Sequence, residues 1–148
     1  MSLVAAFVLV CCCGGYAGLY FYESSYVPGQ REDLLRSFGA PEGFGLVYRK
    51  TEKKGSVAKY SLSCAPASVC PPDPVGRLAT WATRVGVSGV TGPALAARFQ
   101  QNLAWREFEI PNGDFEIDVT MSGGVAVDAS QALFEAVILI TEGCPTCG

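Results

Sequence analysis

A greasy run near the N-terminus limits this chain more than any other feature. Leu3 to Tyr22 reads LVAAFVLVCCCGGYAGLYFY, without one charge. As a helix rising ~1.5 Å per residue, such a run reaches about 30 Å, the thickness of a bilayer's hydrocarbon core. Two readings follow. In the first the run is a single transmembrane anchor, with Tyr16, Tyr20, Phe21, Tyr22 and Tyr26 gathered toward one end as an interfacial aromatic belt. In the second it is a secretory signal whose apolar region is Leu3 to Val10, with the small residues Gly15 and Ala17 ahead of a cleavage before Gly18. Neither reading has the basic residues that usually come first, which a translation start further upstream would explain. Val10 before Cys11 argues against a lipoprotein signal. Gly14 and Gly18 have the GxxxG spacing of packed membrane helices, which chance explains in a stretch so rich in small residues.

Orientation follows from two opposed signals. Arg31 and Arg36 come after the run and nothing basic before it, which by the positive-inside rule alone favours a cytoplasmic C-terminal part. That rule is weak for a long folded domain, and the cysteine pattern favours the outside. The expected location is therefore the cell membrane, single-pass with the C-terminal domain outside, or else secretion. The expected division is 1–22 as anchor or signal, 23–43 as linker and short helix, and 44–148 as one extracytoplasmic domain.

Of the 148 residues, about 125 follow the run, enough for one domain with its own core. The net charge of −3 argues against a nucleic-acid partner, which normally draws a basic excess to one face. The chain has no histidine. That removes the commonest general base, the commonest zinc ligand and any Ser-His or Cys-His nucleophile pair. Carboxylates, thiols and lysines are what remain for chemistry. We expect no catalysis, no cofactor and no metal.

The pattern along the chain predicts an α+β fold: an antiparallel sheet of four to five strands with two or three short helices on one face. Glu23 to Gly29 reads as a linker closed by Pro28-Gly29, and Gln30 to Phe38 as a helix with Leu34, Leu35 and Phe38 on one face, stopped by Gly39. Phe44 to Thr51 and Val57 to Cys64 alternate like two strands of a hairpin, around a charged tip ending in Gly55. Asp73 and Pro74 are an N-cap and first residue of a helix that runs to Gly86 and buries Leu78, Trp81 and Val85. A further helix opens at Thr91 or Gly92, with Leu95, Phe99 and Leu103 inward. The pair superficially resembles a helix-turn-helix, but its second helix offers DNA little beyond Arg98 in an acidic domain. Arg106 to Ile110 and Asp114 to Thr120 form a hairpin around Asn112-Gly113, and Ser122-Gly123-Gly124 breaks the second strand. Leu133 to Thr141 is rich in β-branched residues and nearly all apolar, as a central strand covered on both faces would be. A helix starting at Asp128, with Gln131 reaching back, is the alternative. Trp81 and Trp105 read as core residues.

Two constellations could carry function. Outside the apolar run, which holds Cys11, Cys12 and Cys13, four cysteines form two close pairs: Cys64/Cys70 and Cys144/Cys147. An even number in an exported domain implies disulfides, in any of three connectivities. Pairing across the clusters closes a loop of about 80 residues, worth ~4 kcal/mol in the chain-entropy model, whereas pairing within a cluster closes a small loop and contributes less. The alternative is a zinc or redox protein using all four thiols. Cys-x2-Cys is a proper zinc half-site, but Cys-x5-Cys among prolines is not. Cys144-Pro-Thr-Cys147 lacks the following helix that lowers a redox thiol's pKa.

The second constellation is acidic. A two-residue Asn112-Gly113 turn would set Glu109 opposite Glu116 and Glu107 opposite Asp118, four carboxylates on one face of a hairpin. Directly opposed like charges destabilise paired strands, so such a patch would suit a divalent cation or a basic partner. The blander reading is a solvated sheet face. Glycoside cleavage by such carboxylates needs a cleft that a flat strand face does not provide. Together these readings describe a small extracytoplasmic binding or structural module, held to the membrane through Leu3 to Tyr22. Its partner would be another envelope protein.

Overall fold

The structure, a computed structural model, describes residues 26–126 and 128–143. Among the described residues, three helices pack on one face of a five-stranded antiparallel sheet, and a 3-10 turn follows β2. The helices are α1 (Val27–Phe38), α2 (Pro74–Val85) and α3 (Gly92–Gln100). The strands are β1 (Gly45–Glu52), β2 (Gly55–Cys64), β3 (Trp105–Asn112), β4 (Phe115–Val125) and β5 (Ala132–Glu142). Their order across the sheet is β1-β2-β5-β4-β3, so the last strand in sequence lies in the middle.

The α+β expectation therefore holds, including the central place of β5 and the strand reading of 133–141. The period of two explains which residues turn inward. Ala58, Tyr60 and Leu62 of β2, Ile117, Val119 and Met121 of β4, and Phe134, Ala136, Ile138 and Ile140 of β5 are all buried. They meet Leu35 and Phe38 of α1, Leu78, Trp81 and Val85 of α2, and Leu95 and Phe99 of α3 in one core. Val57, Val137 and Leu139 on the opposite face are only half-buried. β5 is thus covered by helices on one face, not on both.

α2 forms as its sequence dictates. The Gly76 N–H donates to Asp73 Oδ1 at 2.9 Å, Pro74 occupies the first turn, where no N–H is needed, and Gly86 ends the helix at φ 110°, a conformation costly for any residue with a Cβ. Trp81 packs edge-on against Tyr60, with ring centroids 6.1 Å apart, and its indole N–H donates to the Gly39 carbonyl at 3.0 Å. α3 opens at Thr91, whose Oγ1 accepts from the Ala94 N–H at 3.3 Å. Leu103 lies beyond the end of α3 and is exposed, so it is not the third inward residue of that helix. Trp105 is half-buried at the start of β3, beneath the Arg98 guanidinium, 5.5 Å from its ring centroid.

Three boundaries differ from expectation, each for a local reason. α1 starts at Val27, so Pro28 and Gly29 belong to its first turn and not to a linker. A first-turn proline loses no hydrogen bond. β4 runs straight through Gly123 and Gly124. Gly123 stands opposite Phe134, and a Cβ there would come within 2.3 Å of the Phe134 ring; the glycine makes room for an aromatic and does not stop the strand. The β3–β4 register also differs. Asn112 pairs with Phe115, Ile110 with Ile117 and Glu107 with Val119, with a bulge at Phe108 and Glu109.

Arg31 was legible only as a charge following the apolar run, yet in the fold it is fully buried. Its Nη2 donates to the Glu52 and Lys53 carbonyls, both at 2.8 Å, and its Nη1 pairs with Glu142 Oε1 at 3.1 Å. One guanidinium thus joins α1, the β1–β2 turn and the end of β5.

Among the described residues no helix is long and apolar enough to cross a membrane. The run Leu3 to Tyr22 and the pair Cys144/Cys147 lie outside the described residues.

Candidate functional site

The two sequence-predicted constellations resolve differently. Cys64 and Cys70 form a disulfide, with Cα atoms 5.4 Å apart, at the end of β2. In this bonded state neither sulfur is a thiolate that zinc could take. β5 runs antiparallel to β2, with Ala132 opposite Cys64 and Ile140 opposite Ser56. β5 therefore ends, at Glu142, at the opposite end of the sheet from the Cys64–Cys70 bridge.

The four carboxylates do not share a face. Because of the bulge, Glu107 lies opposite the inward-facing Val119, while Glu116 and Asp118 alternate outward from Ile117 and Val119. Glu109 sits in the bulge at φ 57°, and its backbone N–H donates to Asp118 Oδ1 at 2.9 Å. Asp118 is thus engaged by the backbone of the bulge itself. The expected register failed because Pro111 and Asn112 extend β3 and shift the turn to Gly113-Asp114. No three acidic or thiol side chains among the described residues converge on a point that would suit a metal ion.

A concavity lies on the helical layer. It is a groove of about 840 Å³, lined by Arg77, Thr80, Trp81 and Arg84 of α2, Thr91 and Pro93 at the start of α3, and Glu42 of the α1–β1 loop. Small-molecule pockets commonly fall in this range, ~300–1,000 Å³. Its walls follow from the sequence. The amphipathic stripe of α2 turns Leu78, Ala82 and Val85 into the core, and the seven-residue spacing of Arg77 and Arg84, two helical turns, sets them on the outer stripe together. The first turns of α2 and α3 approach closely through glycines: a Cβ on Gly92 would stand 3.5 Å from Gly76 Cα. Both helices thus bring their N-terminal, partially positive ends to the groove.

The two arginines also hold the loop that forms the rim. Arg77 donates to the Pro72 carbonyl at 3.1 Å and to the Glu42 carbonyl at 3.4 Å, and pairs with the Glu42 carboxylate at 3.3 Å. Arg84 donates to the Ala40 carbonyl at 3.4 Å. The Glu42 side chain is 80% exposed, whereas that of Arg77 is 23% exposed. The acid is therefore a solvent-side partner on a more sheltered cation. Asp73, the other acid of the groove, is committed to capping α2.

Sequence reasoning missed this groove. The signal was the repeat of arginine at one helical stripe behind a capped N-terminus, which by itself reads as a solvated helix face. No protein-family model matches the chain, and no curated protein resembles it in sequence.

Proposed function

We propose that this chain is a small extracytoplasmic binding module, membrane-anchored through Leu3 to Tyr22, whose recognition surface is the α2–α3 groove. The ligand class is a carboxylate carried by a polypeptide of another envelope protein. The observation that supports this reading is the ion pair between exposed Glu42 and sheltered Arg77. The Glu42 carboxylate occupies the guanidinium as an incoming carboxylate would. Arg84 and two helix N-termini add positive potential around it, and a planar guanidinium fork suits carboxylate recognition.

The disulfide supports the compartment, since such bonds persist in oxidising environments. With Cys64 and Cys70 joined, a metal or redox role shared by all four cysteines has less to stand on.

Titration of the full chain in detergent with a short peptide bearing a free C-terminal carboxylate, followed by amide NMR shifts, tests the reading. Shifts at Arg77, Arg84 and Thr91 are expected, abolished by Arg77→Gln with Arg84→Gln. Glu42→Gln removes the internal competitor and strengthens binding severalfold. Binding unaffected by all three substitutions would place the ligand elsewhere, and no shift at millimolar peptide would remove the groove from consideration.

A further inference from the structure

We propose that the end of the sheet bearing the start of α1, the Lys53-Lys54 turn and the Gly113-Asp114 turn is a contact surface for the headgroups of a lipid bilayer. This rests on the reading of Leu3 to Tyr22 as an anchor and adds which part of the domain meets the membrane.

The chain enters the fold at one end of the sheet. β1 ends and β2 begins at Lys53-Lys54, β3 ends and β4 begins at Gly113-Asp114, and β5 ends at Glu142. The pairings Glu52 with Gly55 and Phe115 with Glu142 put all of these at one end. The contacts of Arg31 with the Glu52 and Lys53 carbonyls and with Glu142 bring the first half of α1 to that same end. α1 then carries the chain away from it, because β1 starts at Gly45, opposite Ser61, toward the Cys64–Cys70 end.

Lengths decide the rest. Tyr22, the last residue of the apolar run, is four residues before Tyr26, a tether of at most about 14 Å even when fully extended. From Ala132, opposite Cys64, to Ile140, opposite Ser56, a strand covers about 27 Å. A tether of half that length cannot set the disulfide end against the bilayer while α1 begins at the other.

The chemistry of this end agrees. Tyr26 is 49% exposed, and an aromatic with a hydroxyl suits the headgroup layer. Lys54 is exposed at the extremity of the hairpin, where its ammonium group reaches phosphate. Two of the acids at this end are matched within the domain: Glu52 by Lys50 and Glu142 by Arg31.

The test uses the full chain in phosphatidylcholine nanodiscs doped with a gadolinium-headgroup lipid, read by amide NMR, beside carbonate extraction of the same protein from membranes. Resistance to carbonate is expected. So is loss of most intensity at Lys53, Lys54, Gly113 and Asp114, with nearly all intensity kept at Ala65 to Cys70. Carbonate resistance with broadening centred on the Cys64–Cys70 loop, or uniform along β5 from Ala132 to Ile140, would overturn this surface while leaving the anchor in place. Extraction by carbonate would overturn the anchor and the surface together.

Discussion

The two ends of the sheet are fastened by different means. At one end a covalent bridge joins Cys64 to Cys70, six residues apart. At the other a buried guanidinium joins Arg31 to Glu142, 111 residues apart, and to the carbonyls of the β1–β2 turn. The stronger bond constrains the shorter loop. In the chain-entropy model a loop this small contributes only about 2 kcal/mol. The weaker bonds hold three elements that are distant in sequence, and one of them, a cation without access to water, cannot be left unpaired. We therefore expect the non-covalent end to matter more to stability.

The most severe way to break this contrast is at Arg31. Arg31→Met takes a charged donor from the Glu52 and Lys53 carbonyls, and at about 1.5–3 kcal/mol for each such hydrogen bond the loss should come to about 3–6 kcal/mol. Glu142→Gln, by contrast, alters the exposed partner and should cost under about 1 kcal/mol. Guanidinium denaturation of both variants checks the pair. Equal effects would mean that the carboxylate, and not the backbone carbonyls, carries the contact.

Next in size is the packing near the disulfide end. Gly123→Ala forces a Cβ into the Phe134 ring and should cost up to about 3 kcal/mol, the range of overpacked cores. Gly124→Ala meets nothing within 4 Å and should be neutral or slightly stabilising, since alanine restricts the unfolded chain. Thermal melts separate the two. Below these in size, reduction of Cys64–Cys70 should lower stability by about 2 kcal/mol and leave the far-ultraviolet circular dichroism unchanged. A larger loss would show the bridge to hold more than its own loop.

The smallest effect concerns pH. The Lys50 ammonium, beside Glu52, holds the Glu52 carboxyl below its ordinary value, and Glu52 in turn raises Lys50. The Ser130 hydroxyl and backbone N–H lower Asp128. The lowered acids contribute stability above their unfolded pKa that is lost as pH falls through the folded one. The raised Lys50 contributes stability below its unfolded pKa that is lost as pH rises through its folded one. All three groups are exposed, so melting temperature should decline only slightly at either extreme, and less so in high salt.

Much of this fold was legible because local chemistry and tertiary packing agree. The Asp73-Pro74 start of α2 and the apolar run of β5 needed no knowledge of their neighbours. What was illegible depended on distant partners. Gly123 reads as a breaker until Phe134 stands opposite it. The register of β3 and β4 turns on a bulge that Asp118 secures through the Glu109 N–H, and with that register the carboxylate patch of Glu107, Glu109, Glu116 and Asp118 was misplaced. Arg31 reads as a topogenic charge until the ends of β1 and β5 surround it. The groove was hidden because Arg77 and Arg84 look like any solvated stripe until the Gly39–Phe44 loop folds over them.

The account depends on a domain folded where thiols oxidise. The direct test is to trap thiols at the moment of cell lysis, with and without prior protease treatment of sealed cells, and to map the peptides by mass spectrometry. The account predicts a Cys64–Cys70 peptide that is disulfide-bonded and resistant to alkylation, in a domain that external protease reaches. Recovery of both cysteines alkylated, from a domain that external protease never touches, would contradict it.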